Sequence, residues 1–171
     1  MVSIGTFEVD RLFVLGTQMA VGGTLVGIQA DGAGMLDIIK CPWAVIGLAQ
    51  WMEASFSGRP GRMKPQPSEL HDSVVAQLKK QRPKMRRLLQ LPYSQFFDST
   101  SRTEQRWDAS WAFVHFLLDE KQKPDLSKRF ADYLLQSIRK GGGASSSAFD
   151  KAMGMRMEAI HKAFYAWLDS L

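Results

Sequence analysis

Residues 103–119 read TEQRWDASWAFVHFLLD, and they form the most apolar helical pattern in the chain. Large apolar side chains recur there at the three- and four-residue spacing that places them on one face of a helix. That face comprises Trp107, Trp111, Val114 and Leu118, with Phe113 and Leu117 beside it. The segment from Ser101 to Glu104 has the spacing of a capping box, which marks the start of a helix. A helix that is apolar over so much of its surface is expected to lie at the centre of the fold.

Proline and glycine divide the residues after this segment into further helices. One helix is predicted to begin at Pro124, and a short one is predicted to end at Gly154. A last helix should bury a single face, which comprises Met157, Ile160, Phe164, Trp167 and Leu171. Residues 141–147, GGGASSS, have the composition of a flexible connector.

Three helices are predicted on the N-terminal side of the central segment. The first begins at Pro42, and its inward face is expected to hold Val45, Ala49, Met52 and Phe56. The second should begin with Ser68 as its N-cap and end before Pro83. Its inward side chains are expected to be Leu70, Val74, Val75 and Leu78. A short third helix should follow over residues 84–91.

The fold class that this pattern predicts is mainly α. Residues 42–171 should form a compact multi-helix array, because no β-hairpin pattern and no internal repeat occurs there. Residues 1–40 are glycine-rich and weakly patterned, and we expect an irregular or partly buried segment. The whole chain, residues 1–171, is expected to form a single domain.

The length and composition of the chain limit the classes of protein to which it can belong. A chain of 171 residues with 45% hydrophobic side chains is long and apolar enough for one globular domain with a core. Cys41 is the single cysteine, so an internal disulfide is excluded and a buried thiol is the expected role. The net charge of +5 is local, because residues 59–87 alone carry +7.

Residues 12–30 contain no charged side chain and are nearly as long as a membrane span. Four glycines and several Thr and Gln residues dilute their hydrophobicity. The preceding EVDR is not the basic flank that a signal peptide carries. A buried segment is therefore favoured over a membrane role, and no cellular compartment is predicted.

Several stretches together resemble a known family. They are PWAVIGLAQWME (42–53), RWDASWAFVHFLLD (106–119), RFADYLLQSIRKG (129–141), FDKAMG (149–154) and WLDSL (167–171). Their order is similar to the C-terminal helical part of an uncharacterised bacterial domain family among the gluzincin, or peptidase-MA-like, zinc metallopeptidases. The resemblance covers residues 42–171 and implies the helical part of a zincin-like fold.

The resemblance also implies a metal site that this sequence lacks. In the family, an H-E-x-x-H helix supplies two zinc ligands and a general base, and a glutamate directly before Gly-Leu-Ala supplies the third ligand. Here that position is Ile46, framed by Gly47 and Glu53. No H-E-x-x-H occurs in the chain, and no histidine precedes His71. Both halves of the zinc site are missing.

The resulting expectation is a degenerate, non-catalytic metallopeptidase-like domain that acts as a peptide-binding, protein-binding or scaffold module. It has no catalytic residues, no metal ligands and no cofactor, whereas active members of the family hold zinc. Two alternatives stay open. An upstream segment or ligands outside the motif could complete a zinc-dependent peptidase, or the chain could be a fragment or an altered reading of a longer enzyme.

A second class of function rests on the basic segment KKQRPKMRR, residues 79–87. Such a run attracts phosphates, so a helical module that binds nucleic acid or an anionic surface through residues 59–87 is a further alternative. No aromatic residue between Gly58 and Pro92 offers a stacking platform, which disfavours nucleic acid and leaves a solvated helix pair as the simpler interpretation. The candidate binding residues are Lys79, Lys80, Arg86, Arg87 and His115, the last of which is expected in the core or in a groove.

Overall fold

The computed structural model describes residues 41–55, 71–97, 102–119, 124–139 and 146–171. Within these ranges the chain is mainly helical and contains no strand, which confirms the predicted fold class. The eight helices described are α1 (Pro42–Ser55), α2 (Asp72–Gln81), α3 (Met85–Leu89), α4 (Tyr93–Phe96), α5 (Arg102–Leu118), α6 (Pro124–Arg139), α7 (Ser146–Met153) and α8 (Met157–Asp169). The expectations for residues 1–40 lie outside the described residues.

Helix α5 lies at the centre of the array, as its sequence predicts. It packs against α1, α2, α6 and α8. Because neighbours cover it from several sides, α5 buries a nearly continuous run instead of a single stripe. The buried residues are Ala109, Ser110, Trp111, Ala112, Phe113, Val114, Phe116 and Leu117.

The predicted face of α5 is wrong at Trp107, which is 36% exposed. At the other end Leu118 packs against the core and is half-buried. Near the start of α5, the ring of Phe97 meets the Trp107 ring edge-on, with the ring centroids 6.2 Å apart. The neighbouring helices cover the middle of α5 more fully than its ends, and periodicity within one helix does not reveal that.

Helix α1 packs on α5, but through a different face from the predicted one. Among its described side chains, the buried ones are Pro42, Trp43, Ala44, Gly47 and Leu48, whereas Val45 is half-buried and Ala49 is exposed. The helix is apolar almost all round, so periodicity in its sequence does not distinguish the inward side. The small residues decide the face, because they allow the closest approach to α5. Phe56 and the side chain of Met52 lie outside the described residues.

Aromatic rings from several helices meet at the centre of the core. The Trp43 ring lies 5.7 Å from Phe113, 5.9 Å from Phe130 and 5.8 Å from Phe149, between ring centroids. The Phe164 ring of α8 meets Phe113 edge-on at 5.4 Å. These separations are typical of favourable aromatic pairs, each of which contributes about 0.5–1.5 kcal/mol beyond its buried area. The cluster joins α1, α5, α6, α7 and α8.

A tight turn separates α2 from α3. Helix α2 begins at Asp72 with His71 as its N-cap, so the prediction of Ser68 as N-cap is wrong. The predicted burial of Val74, Val75 and Leu78 is confirmed, and Leu70 lies outside the described residues. Arg82 ends α2 in the left-handed region, at φ 42°, and its N–H donates to the carbonyl of Leu78. A left-handed residue often ends a helix in this way, although glycine is the usual residue there, and Pro83 follows it.

The last two helices follow the predicted order with shifted ends. Helix α7 begins at Ser146, so the connector predicted over 141–147 ends before that residue. Gly154 has φ 63°, which suits glycine after a helix, and a Cβ atom there would collide with the guanidinium of Arg129. The buried face of α8 is confirmed except at Leu171, which is 60% exposed because the helix ends at Asp169.

No helix in the part of the chain that the structure describes is long and apolar enough to cross a membrane. The uncharged segment 12–30 lies outside that part.

Candidate functional site

Ile46 occupies the position on α1 at which the resemblance would require a metal ligand. Its side chain is half-buried and packs against the hydrophobic core. A branched hydrocarbon side chain carries no oxygen, nitrogen or sulfur that could coordinate a metal ion. At this position the helix therefore contributes apolar packing. Glu53 lies in the last part of α1, where the side chains are outside those that the structure describes.

Gly47 lies where α1 crosses α5. A Cβ atom on residue 47 would overlap the backbone carbonyl oxygen of Ser110 and would lie 2.6 Å from Cγ2 of Val114. Neither contact is possible for a real Cβ atom, so only glycine fits unless the helices move apart. The resemblance implied for Gly47 only a place in the frame of a metal-ligand helix. Its role in the structure is to let two helices approach closely.

The facing residue on α5, Ser110, is polar and fully buried. Its hydroxyl donates a hydrogen bond of 2.6 Å to the carbonyl of Arg106, one turn earlier in the same helix. That bond satisfies the hydroxyl inside the protein, so the small side chain can lie at the crossing without a partner on α1. The α1–α5 crossing is therefore built from small residues on both helices.

The three histidines of the chain lie against different aromatic rings. His71 meets Trp111 at 5.4 Å, His115 meets Trp167 at 5.6 Å and His161 meets Tyr165 at 4.8 Å, between ring centroids. Within the described ranges, no group of three or more His, Cys, Asp or Glu residues is placed to hold a metal ion. In that part of the protein, each histidine packs against an aromatic ring.

His115 lies between the centre and the surface, at the contact of α5 with α8. Burial lowers the pKa of its imidazole below the ordinary value of 6.5, and the nearby Asp119 carboxylate acts in the opposite direction. Asp119 also accepts a hydrogen bond of 3.1 Å from Nε1 of Trp167. The His115 side chain is half-buried.

The lowered pKa predicts how stability depends on pH. The folded protein binds a proton at His115 less readily than the unfolded chain does, so stability is present above pH 6.5 and falls as the pH drops through the folded pKa. His115→Gln should reduce the loss of unfolding free energy between about pH 7.5 and about pH 5.5, measured by urea denaturation. His71→Gln, at an exposed ring, is the control. An equal loss for wild type and His115→Gln would contradict the assignment.

Two arginines of the basic segment are paired with acids of the last helices. Arg82 binds both carboxylate oxygens of Asp169, at 2.7 and 2.8 Å. Arg86 binds Glu158 at 2.7 Å and lies 3.8 Å from Asp150. These pairs tie the turn between α2 and α3 to α7 and α8. Arg86, predicted as a binding residue, therefore has a structural partner in the fold.

Tyr165 completes this attachment. Its hydroxyl donates a hydrogen bond of 2.7 Å to the carbonyl of Pro83, and the guanidinium of Arg82 lies 5.2 Å from the centre of its ring. Burial raises the pKa of the Tyr165 hydroxyl, which keeps it protonated as a donor. The turn at Arg82 and Pro83 is therefore held by a cation–π contact, a hydrogen bond and an ion pair.

We expect the Arg82–Asp169 pair to make only a small contribution to stability. The two side chains are 52% and 46% exposed, and water screens such a pair. Asp169→Asn should lower the free energy of unfolding by at most about 1 kcal/mol, and added salt should reduce the difference from wild type. Asp132→Asn, at another exposed acid, is the matched control in chemical denaturation. A loss that salt does not reduce would contradict a screened ion pair.

The other predicted binding cations have no such partners. Within the described ranges, no ion pair or side-chain hydrogen bond involves Lys79, Lys80, Lys84 or Arg87. Lys80, Lys84 and Arg87 are exposed, and Lys79 is half-buried. Lys84 was not singled out by the sequence pattern. We group Lys84 with the other cations that form no ion pair, because Arg82 and Arg86 are already bound to carboxylates.

Comparison of this chain with protein-family models, with curated proteins and with solved structures finds no match.

Proposed function

We propose that this protein is a non-catalytic, metallopeptidase-like helical module that binds a peptide or a protein. The observation that carries the proposal is Ile46, an aliphatic side chain packed against the core at the position that the resemblance gives to the third zinc ligand. The sequence also lacks H-E-x-x-H, which would supply the other two ligands and the general base.

The chemistry of zinc hydrolysis supports this proposal. A zinc peptidase needs three protein ligands, an open position for water and a base that accepts the proton of that water. Losing the paired histidines and the glutamate removes every ligand that the family mechanism uses. A binding role needs none of these groups, because it requires only a rigid helical array that presents fixed side chains.

Zinc analysis of the purified protein tests the proposal. We expect far less than one zinc per chain by mass spectrometry, and no cleavage of unfolded casein with or without added zinc. Ile46→Glu serves as a matched variant. It restores the carboxylate without the histidine pair, so its zinc content should stay equally low. One tightly bound zinc per wild-type chain, removed by a chelator together with peptidase activity, would contradict the proposal.

A further inference from the structure

Four cations that form no ion pair with any described acid surround the turn between α2 and α3. Lys79 and Lys80 lie in the last turn of α2, Lys84 is the N-cap residue of α3, and Arg87 lies within α3. We call this set, Lys79, Lys80, Lys84 and Arg87, the basic turn. Its members fall within nine consecutive residues of the chain, and three of the four side chains are exposed.

The carboxylates on α7 and α8 that face this turn are already in ion pairs with arginines. Asp169 is bound by Arg82, and both Glu158 and Asp150 face Arg86. Within the described residues, these carboxylates form ion pairs with Arg82 and Arg86 only. The charge of the basic turn is left without compensation from the described parts of the neighbouring helices.

The backbone that carries these cations is held in one conformation. Arg82 adopts its left-handed φ of 42°, the next residue is proline, and the Tyr165 hydroxyl holds the Pro83 carbonyl. A surface that is ordered before binding loses less conformational entropy when a partner binds. The basic turn thus combines uncompensated charge with a pre-ordered backbone, and both favour association with an oppositely charged partner.

We propose that the basic turn binds an aspartate- and glutamate-rich segment of a partner protein. The inference rests on the proposed function, and it specifies the chemistry of the partner and the residues that contact it. Carboxylates of the partner would pair with the three lysines and Arg87, in the way that Asp169 and Glu158 pair with the two arginines beside them.

The same surface is poorly suited to nucleic acid. Arginine recognises phosphate through two parallel hydrogen bonds, and two of the three arginines at the turn are occupied by carboxylates. Residues 72–92 contain no aromatic side chain on which a base could stack, and the nearby Tyr165 ring is faced by Arg82. A lysine ammonium group acts as a point charge and can pair with carboxylates that approach from different directions.

Fluorescence anisotropy with the full chain tests this proposal. The probe is a fluorescein-labelled peptide of alternating glutamate and serine, and the reference is a peptide of alternating glutamine and serine with the same length. Wild type should bind the glutamate peptide at low salt, and physiological salt should weaken that binding. The variant Lys79→Gln/Lys80→Gln/Lys84→Gln/Arg87→Gln should bind it at least about tenfold more weakly.

A matched variant controls for total charge. Arg102→Gln/Lys128→Gln/Lys151→Gln/Lys162→Gln removes the same number of lysines and arginines from exposed positions on α5, α6, α7 and α8. It should lose much less affinity, and circular dichroism should show both variants folded. If the first variant does not fold, Lys79→Gln/Lys84→Gln replaces it, with Lys128→Gln/Lys151→Gln as its control.

Three results would overturn the basic turn as an acidic-peptide site. They are no binding by wild type at low salt, equal loss of affinity in the two variants, and tighter binding to a duplex DNA probe than to the glutamate peptide. These outcomes are separable from those of the zinc analysis. If the protein holds no zinc and does not bind the glutamate peptide, only the proposal for the basic turn is contradicted. If the protein is a zinc-dependent peptidase, the proposed function is contradicted, whether or not the peptide binds.

Discussion

Trp43→Ala is expected to lower the free energy of unfolding by about 3–5 kcal/mol, the largest effect of any substitution considered. The Trp43 side chain is fully buried and its ring contacts Phe113, Phe130 and Phe149. Truncation would remove these contacts and leave a cavity. The surrounding helices also pack against other neighbours, so they can close that cavity only in part. Urea denaturation at neutral pH, followed by far-UV circular dichroism, measures the change.

Two further variants separate burial from the chemistry of tryptophan. Nε1 of Trp43 is buried and has no hydrogen-bond partner among the described residues. Trp43→Phe removes that unsatisfied N–H and keeps a ring, so it should cost less than Trp43→Ala. Trp107→Ala, at the exposed end of α5, should cost about 1 kcal/mol or less. If Trp107→Ala were as costly as Trp43→Ala, the aromatic cluster would not be the centre of stability.

Gly47→Ala should destabilise the protein by about 2 kcal/mol, although alanine is the better helix former by about 1 kcal/mol. The added methyl group collides with the carbonyl oxygen of Ser110, which belongs to a helix backbone and cannot rotate away. The α1–α5 crossing must therefore open, with loss of packing along both helices. The midpoint of urea denaturation should fall accordingly.

The sign of the Gly47 effect is the decisive observation. Ala49→Gly, at an exposed position of the same helix, measures helix propensity alone and should cost about 1 kcal/mol. Val114→Ala in the Gly47→Ala background removes one of the two collisions, so its further cost should be smaller than that of Val114→Ala in wild type. Stabilisation by Gly47→Ala would mean that the two helices do not approach this closely in solution.

The central helix could be predicted from sequence because it has more apolar residues than a single buried face needs. Prolines and glycines mark several of the helix ends, such as Pro42, Pro124 and Gly154. The inward face of α1 could not be predicted in the same way. That helix is apolar nearly all round, and its orientation is decided by Gly47 meeting the backbone of another helix. Periodicity measures where large apolar residues recur, and it is insensitive to a position where the smallest residue is required.

The candidate site also has features that the sequence predicts and features that it does not. The absence of donor atoms at Ile46 follows from the sequence alone, and so does the cluster of cations at residues 79–87. The selection among those cations does not, because Arg82 finds its partner 87 residues away at Asp169. Such a pairing depends on how the helices pack, and nothing in the local sequence encodes it.

The pairing of Arg82 and Arg86 with α8 also affects how shortened forms of the protein would behave. A chain cut before Met157 would lose Glu158 and Asp169, so Arg82 would lose its acidic partner and Arg86 would keep only Asp150. The freed Arg82 beside the basic turn would then provide a bidentate phosphate contact that the longer chain withholds. Fragments of this kind are expected to retain nucleic acid during purification, and that retention would reflect the missing helix and not the intact protein.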